Sequence, residues 1–242
     1  SMKILLEIAV FNIESALTAL AAGADRIEFC ENPQEGGTTP SYGSLKTLIQ
    51  KTSQPVFPII RPRGGDFLYS DDEFESMKSD VLIVKELGYP GAVIGLLQKD
   101  GQIDINRTAE LVSIAGHMEI TFHRAFDRCV DPIKGLEDVI QAGCKRILTS
   151  GQVPNVANAL PLISQLEENA NGRIIIMPGS GVRANNISKI LSTTGVKEIH
   201  SSARKNYPSE MLFSPASMQE QMMFTGVDEE EIKAMKSNCL VK

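Results

Sequence analysis

Two periods of hydrophobicity alternate along the chain. Short β-branched runs recur at Ile4–Val10, Arg26–Cys30, Val56–Arg61, Ala92–Leu97, Glu119–Arg124, Arg146–Ser150, Arg173–Met177 and Glu198–Ser201, and each reads as a strand. Between them lie stretches with helical spacing: Ile13–Ala22, Tyr42–Lys51, Asp71–Leu87, Asp104–Ala115, Pro132–Ala142, Asn155–Glu168 and Ala184–Ser192. The acidic segment Val227–Met235 reads as an eighth helix. Gly23, Gly88, Gly116, Gly143 and Gly195 each close a helical pattern, where a left-handed residue ends the helix without a Cβ penalty. Eight strand–helix units with short connections predict one α/β domain over residues 3–242, a TIM-like (β/α)8 barrel. A doubly wound open sheet is the alternative. It favours an early G-x-G-x-x-G for dinucleotides, and the first strand here runs instead into Phe11-Asn12-Ile13-Glu14.

The pattern breaks once. Lys205–Phe224 carries Pro208, Pro215, Met211, Met218, Met222 and Met223 and reads as an irregular loop. Its methionines suit apolar packing in that loop or at a subunit contact, although thioethers also bind Cu(I). Ser1 before Met2 reads as a remnant of expression.

Composition narrows the functional classes. Lys plus Arg is 24 against 30 for Asp plus Glu, a formal charge of -6. Without a basic excess, nucleic acid and membrane surfaces are poor partners. No apolar run approaches the ~20 residues that cross a bilayer, and no export signal is visible, so the expected location is cytoplasmic. The four cysteines at 30, 129, 144 and 239 are far apart, with no C-x-x-C pair, and read as reduced thiols. No organic cofactor is indicated.

Strand alternation locates the chemistry. In strand one the apolar set Ile4, Leu6 and Ile8 suits a helix layer, so Glu7 faces the barrel interior. By the same rule Glu28 and Cys30 face inward from strand two, Thr121 and His123 from strand five, and Glu198 and His200 from strand eight. Strand three brings Ile59, Arg61 and Arg63 to one side. Barrel active sites lie at the C-terminal ends of the strands, so these groups predict a polar pocket at the mouth. Ion pairs filling barrel layers are the alternative. Candidate proton carriers are Glu7, Glu28 and His123, with Asp127 placed to orient the imidazole. A pair of these also suits a divalent metal.

The loops suggest an anion. Arg61-Pro-Arg-Gly-Gly-Asp66 offers two guanidinium groups and a carboxylate beside a glycine pair. Thr149-Ser150-Gly151 ends strand six, Gly179-Ser180-Gly181 ends strand seven, and His200 opens the loop after strand eight. Barrels often hold phosphate in the last two of these loops, on backbone N–H groups at a helix start.

Several stretches together resemble the CutC family: Asp25-Arg-Ile-Glu-Phe-Cys30, Glu35-Gly-Gly-Thr-Thr-Pro-Ser41, Arg61-Pro-Arg-Gly-Gly-Asp-Phe-Leu-Tyr-Ser70, Thr121-Phe-His-Arg-Ala-Phe-Asp127, Ile147-Leu-Thr-Ser-Gly151, Met177-Pro-Gly-Ser-Gly181 and Glu198-Ile-His-Ser-Ser-Ala203. The resemblance spans roughly residues 3–204. It implies a TIM-like barrel, a cytoplasmic location, a homo-oligomer (dimer or tetramer) and a role in copper homeostasis with Cu(I) binding. Some family members carry a cysteine two residues after the first-strand glutamate. Ala9 stands there in this chain, which leaves Cys30 as the candidate Cu(I) ligand. Two functional expectations follow. The resemblance implies a copper homeostasis protein. The residues themselves favour a barrel enzyme acting on a small phosphate or carboxylate by acid/base or metal-assisted chemistry.

Overall fold

The computed structural model describes residues 3–240, so Ser1, read above as an expression remnant, lies outside the described residues. Eight parallel strands alternate with helices. They are β1 (Leu5–Val10), α1 (Ile13–Ala21), β2 (Arg26–Phe29), α2 (Tyr42–Ile49), β3 (Val56–Pro58), α3 (Asp71–Glu86), β4 (Gly91–Ile94), α4 (Ile105–Ala115), β5 (Glu119–Phe122), α5 (Pro132–Ala142), β6 (Arg146–Thr149), α6 (Leu160–Ala170), β7 (Ile175–Pro178), α7 (Ile187–Thr194) and β8 (Glu198–Ser201). A hairpin of β9 (Arg204–Pro208) and β10 (Met223–Val227) precedes α8 (Glu229–Asn238).

The strands form two four-stranded half-sheets, ordered β3-β2-β1-β8 and β4-β5-β6-β7. One seam is closed by the Ile59–Val93 bridge, where Ile60 N–H also donates to the Val93 carbonyl. At the other seam β7 and β8 lie side by side, with no ladder between them among the described residues.

Local signals explain the starts and stops. Asn12 caps α1 by accepting from Ser15 N–H. Ser70 and Glu73 form a reciprocal capping box at the start of α3. Asp131 caps α5, Pro132 occupies its first turn, and Gly143 ends it at a φ of 93°. The helices then cover the outer face of the sheet, where Leu6, Ile8, Ile27, Phe29, Ile147 and Ile199 are fully or almost fully buried. Each such side chain contributes about 1.5–3 kcal/mol of burial.

Three of the differences from the sequence expectation shape the rim of the barrel or its loops. Lys205–Phe224 is bounded by paired strands rather than being irregular throughout: Met223 pairs with Pro208 and Thr225 with Asn206, and Tyr207 stacks on Phe224 at 5.7 Å. Asn155–Glu168 is broken, because Ala159 at φ -131° separates a single turn at Val156–Asn158 from α6. The third strand ends at Pro58 rather than Arg61. Past that point the chain bends, and Arg61 N–H donates to the Thr39 side chain.

Candidate functional site

The interior is built in layers. At the bottom, Arg26 and Arg146 place their guanidinium groups 4.9 and 5.4 Å from the centre of the Phe57 ring. Arg26 donates to Glu7 at 2.5 Å and to Glu198 at 2.8 Å; Arg146 donates to Glu198 and Glu119, each at 2.8 Å. A buried charge is tolerable only when partnered, and here each arginine has two carboxylates. Strand alternation as applied above does not single out either arginine, although Arg26 lies two residues before inward-facing Glu28. That spacing was the available signal.

Above this layer sit Glu7, Glu28 and His200. One ligand atom of each lies within 4.8 Å of the others. Glu7 and His200 are register partners across the β1–β8 ladder, and His200 Nδ1 lies 2.8 Å from Glu7 Oε1. Burial alone would raise the Glu7 carboxyl, but Arg26 and His200 bring it down to about 2. Burial would lower His200, yet the bond to Glu7 lifts it above the ordinary imidazole value. Glu28 moves the other way. Burial raises it, and Glu7 adds like-charge repulsion, against a lowering pull from His200.

The cavity at the mouth has a volume of about 510 Å³. Its floor includes Glu28, His123 and His200, and five arginines line it: Arg61, Arg124, Arg128, Arg183 and Arg204. Among the described residues two carboxylates, Glu28 and Glu35, share the lining with them. Among the described residues, three buried side-chain atoms of the lining residues have no hydrogen-bond partner: Glu28 Oε2, Arg61 Nε and His123 Nε2.

His123 is fixed in orientation and tautomer. Its Nδ1 accepts from Ala125 N–H at 3.0 Å, so in the neutral ring the proton sits on Nε2. Burial, then the nearby Arg61 and Arg128, push its pKa down to about 3, so the ring is neutral across physiological pH. Gly95 makes room for it, since a Cβ there would lie 2.2 Å from His123 Cε1.

Other expected site residues stand elsewhere. Arg63 and Asp66 do not line the cavity. Arg63 pairs with Glu73 at 2.7 Å and with Asp66 at 3.0 Å, bracing the loop before α3, because the turn beyond Pro62 carries it off the strand direction. Asp127 does not orient His123. The short helical turn Arg124–Arg128 aims it at the β6 loop, where it accepts from Thr149 at 2.6 Å and from both the backbone and side chain of Ser150. Thr149, Ser150 and Gly151 are thus committed to Asp127 and to one another rather than to the main cavity. Ser180 and Gly181 do line the cavity, whereas Gly179 is buried beneath them. A Cβ at Gly179 would lie 2.5 Å from Leu148 and 3.0 Å from His200, so glycine there permits close packing. No helix starts directly after this turn; α7 begins six residues beyond Gly181, at Ile187.

Cys30 lies inward at the end of β2 among Phe57, Ile59 and Val93. Its thiol donates to Glu28 Oε1 at 3.2 Å. Burial, then the Glu28 carboxylate, hold it well above the ordinary thiol value.

Comparison with known proteins places this geometry in context. The CutC family model matches residues 4–205. A family protein CutC of Proteus mirabilis is 49% identical over 96% of this chain and 94% of its own. One from Edwardsiella ictaluri is 46% identical over the same shares. Among solved structures, a CutC from Streptococcus agalactiae, whose name assigns it provisionally to copper homeostasis, is 36% identical. It covers 82% of this chain and 98% of its own, with a TM-score of 0.77. A phosphoribosylanthranilate isomerase from Thermotoga maritima, at 13% identity and a TM-score of 0.60, shares the barrel fold alone.

Proposed function

The chain belongs to the CutC family, and from that premise we propose that it binds a small anionic solute in the barrel mouth and exchanges a proton with it. The carrying observation is the set of unpartnered buried atoms. Glu28, Arg61 and His123 all line one arginine-rich cavity, and Glu28 Oε2, Arg61 Nε and His123 Nε2 are buried there without a hydrogen-bond partner among the described residues. Buried polar groups are almost always hydrogen-bonded, so three orphans around one cavity point to a polar ligand. Glu28 is the acid/base group, because burial brings its proton affinity toward the working range. Neutral His123 donates Nε2–H to an oxygen on which charge develops, without itself giving up a proton. His200, held by Glu7, backs the floor and moderates Glu28.

A copper role is the second reading, and the observation for it is Cys30 facing inward. Cu(I) favours several soft donors, and one protonated thiol already bonded to Glu28 is a weak start. Among the described residues the cluster of metal-ligating type is Glu7, Glu28 and His200, oxygen and nitrogen donors suited to a divalent ion. The residues do not fit that ion either. Both Glu7 oxygens are taken, by Arg26 and His200, and a metal would have to displace one of them. A cytoplasmic location and a dimeric or tetrameric state accompany the proposal; light scattering tests the latter.

The experiment is thermal shift with small phosphates and carboxylates, followed by proton NMR of each bound solute in D2O. The expected result is a raised Tm, with carbon-bound hydrogen exchange that is lost in Glu28→Gln. Absence of any shift across the set overturns the reading.

A further inference from the structure

We infer that the solute carries an anionic group at each end, a phosphate at one and a carboxylate at the other; the inference rests on the anion reading above. It comes from how the five arginines are distributed. Arg61 follows β3 and Arg128 follows β5, and both stack on one ring, 5.0 and 5.8 Å from the centre of Phe67. Arg183 follows β7 and Arg204 opens the segment after β8. In a ring of eight strands β3 stands four places from β7, and β5 stands three from β8. The two groups therefore occupy opposing arcs of the rim, with Glu28, His123 and His200 between them on the floor.

The arcs also differ in what is left unpaired. Arg124 is neutralised by Asp127 at 2.7 Å. Arg128 makes one hydrogen bond, to the Arg124 carbonyl, and meets like charges in Arg124 and Arg61. Arg61 gives its terminal nitrogens to the carbonyls of Glu35, Gly37 and Gly65, and its buried Nε has no hydrogen-bond partner among the described residues. This arc is planar and stacked, suited to a carboxylate. On the opposite arc, Arg183 and Arg204 make no side-chain hydrogen bond among the described residues, and Arg204 rests on Phe11 at 4.7 Å. Next to them the backbone N–H groups of Gly181, Val182 and Ser202 have no acceptor among the described residues. Three N–H groups free of acceptors beside two guanidiniums match the many acceptor oxygens of a phosphate. A cavity of about 510 Å³ exceeds what one inorganic anion fills and falls in the small-metabolite range of roughly 300–1,000 Å³.

The test uses three probes of equal carbon count in calorimetry: phosphogluconate phosphorylated on its terminal carbon, gluconate, and glucose phosphorylated on the same carbon. The wild-type protein should bind the first at least about tenfold more tightly than either single-ended probe. The double variant Arg183→Ala/Arg204→Ala should lower phosphogluconate affinity to that of gluconate. Arg128→Ala should lower it toward that of the sugar phosphate. Both variants change exposed side chains, and an unchanged Tm confirms folding. If the single-ended probes bind and the double-ended one gains nothing, the two-ended inference falls while the anion reading stands. If tight phosphogluconate binding survives both variants, the assignment of the arcs is wrong. If no probe binds, both proposals fail.

Discussion

Glu7 and His200 face each other across the β1–β8 ladder and are joined by a 2.8 Å hydrogen bond. His123 stands on the same floor with no carboxylate partner, its Nδ1 satisfied by Ala125 N–H. Two imidazoles in one cavity are thus biased in opposite directions.

Nitrogen-detected NMR should show His123 neutral, with its proton on Nε2, down to about pH 3, and His200 still charged above its ordinary value of 6.5. The sign for stability follows. The unfolded chain protonates His123 first as pH falls below about 6.5, so this residue costs stability progressively toward pH 3, by a few kcal/mol in all. Urea titrations of wild type and His123→Asn should therefore show the stability difference shifting in favour of the variant as pH falls through that window. A constant difference would remove the neutral-imidazole assignment.

Arg26 joins Glu7 to Glu198 in the lowest layer. Arg26→Met should cost about 3–5 kcal/mol by chemical denaturation, because Glu7 loses its guanidinium and keeps only His200, while Glu198 loses one of its two arginines. Adding Glu7→Gln to Arg26→Met should restore part of that loss. A double variant no more stable than the single would count against the ion network as the source.

Gly95 is the platform on which His123 rests. Gly95→Ala would set a methyl 2.2 Å from the imidazole and 2.8 Å from the Ala125 methyl group. Overpacking should lower stability by about 1–3 kcal/mol and displace the ring, weakening anion binding more than the Tm change accounts for. Calorimetry and melting on the same sample separate the two effects.

The Cys30 thiol is buried and bonded to Glu28. Native protein should react slowly with Ellman's reagent at pH 8, and all four thiols should react after denaturation. In competition with a Cu(I) chelator, wild type and Cys30→Ala should behave alike. Stoichiometric Cu(I) capture that vanishes in the variant would restore the copper reading.

Strand alternation made much of this site legible. Apolar neighbours alone point Glu7, Glu28, His123 and His200 inward, and all four are buried in the barrel. Period-two reasoning holds only while the chain stays in the strand. Arg63 and Asp66 escape that reasoning because β3 stops at Pro58, and Asp127 because a helical turn follows His123. The hairpin escaped notice for a different reason. Arg204–Pro208 is mostly exposed and ends in proline, so no hydrophobic alternation announces it, and its stability comes from pairing with a segment some fifteen residues away. The layer formed by Arg26 and Arg146 was hidden because a charged residue at a strand's first position normally reads as a solvent-facing end.

The barrel's two half-sheets have a consequence for how occupancy and folding communicate. Among the described residues no backbone ladder joins β7 to β8, and the loops leaving those two strands carry Arg183 and Arg204. A molecule gripped by both would act as a clasp across the gap. Each tenfold rise in its free concentration beyond saturation would add about 1.4 kcal/mol to the cost of opening the barrel. Slow amide exchange along β7 and β8 would then report the presence of the solute, even where no atom of it touches those strands.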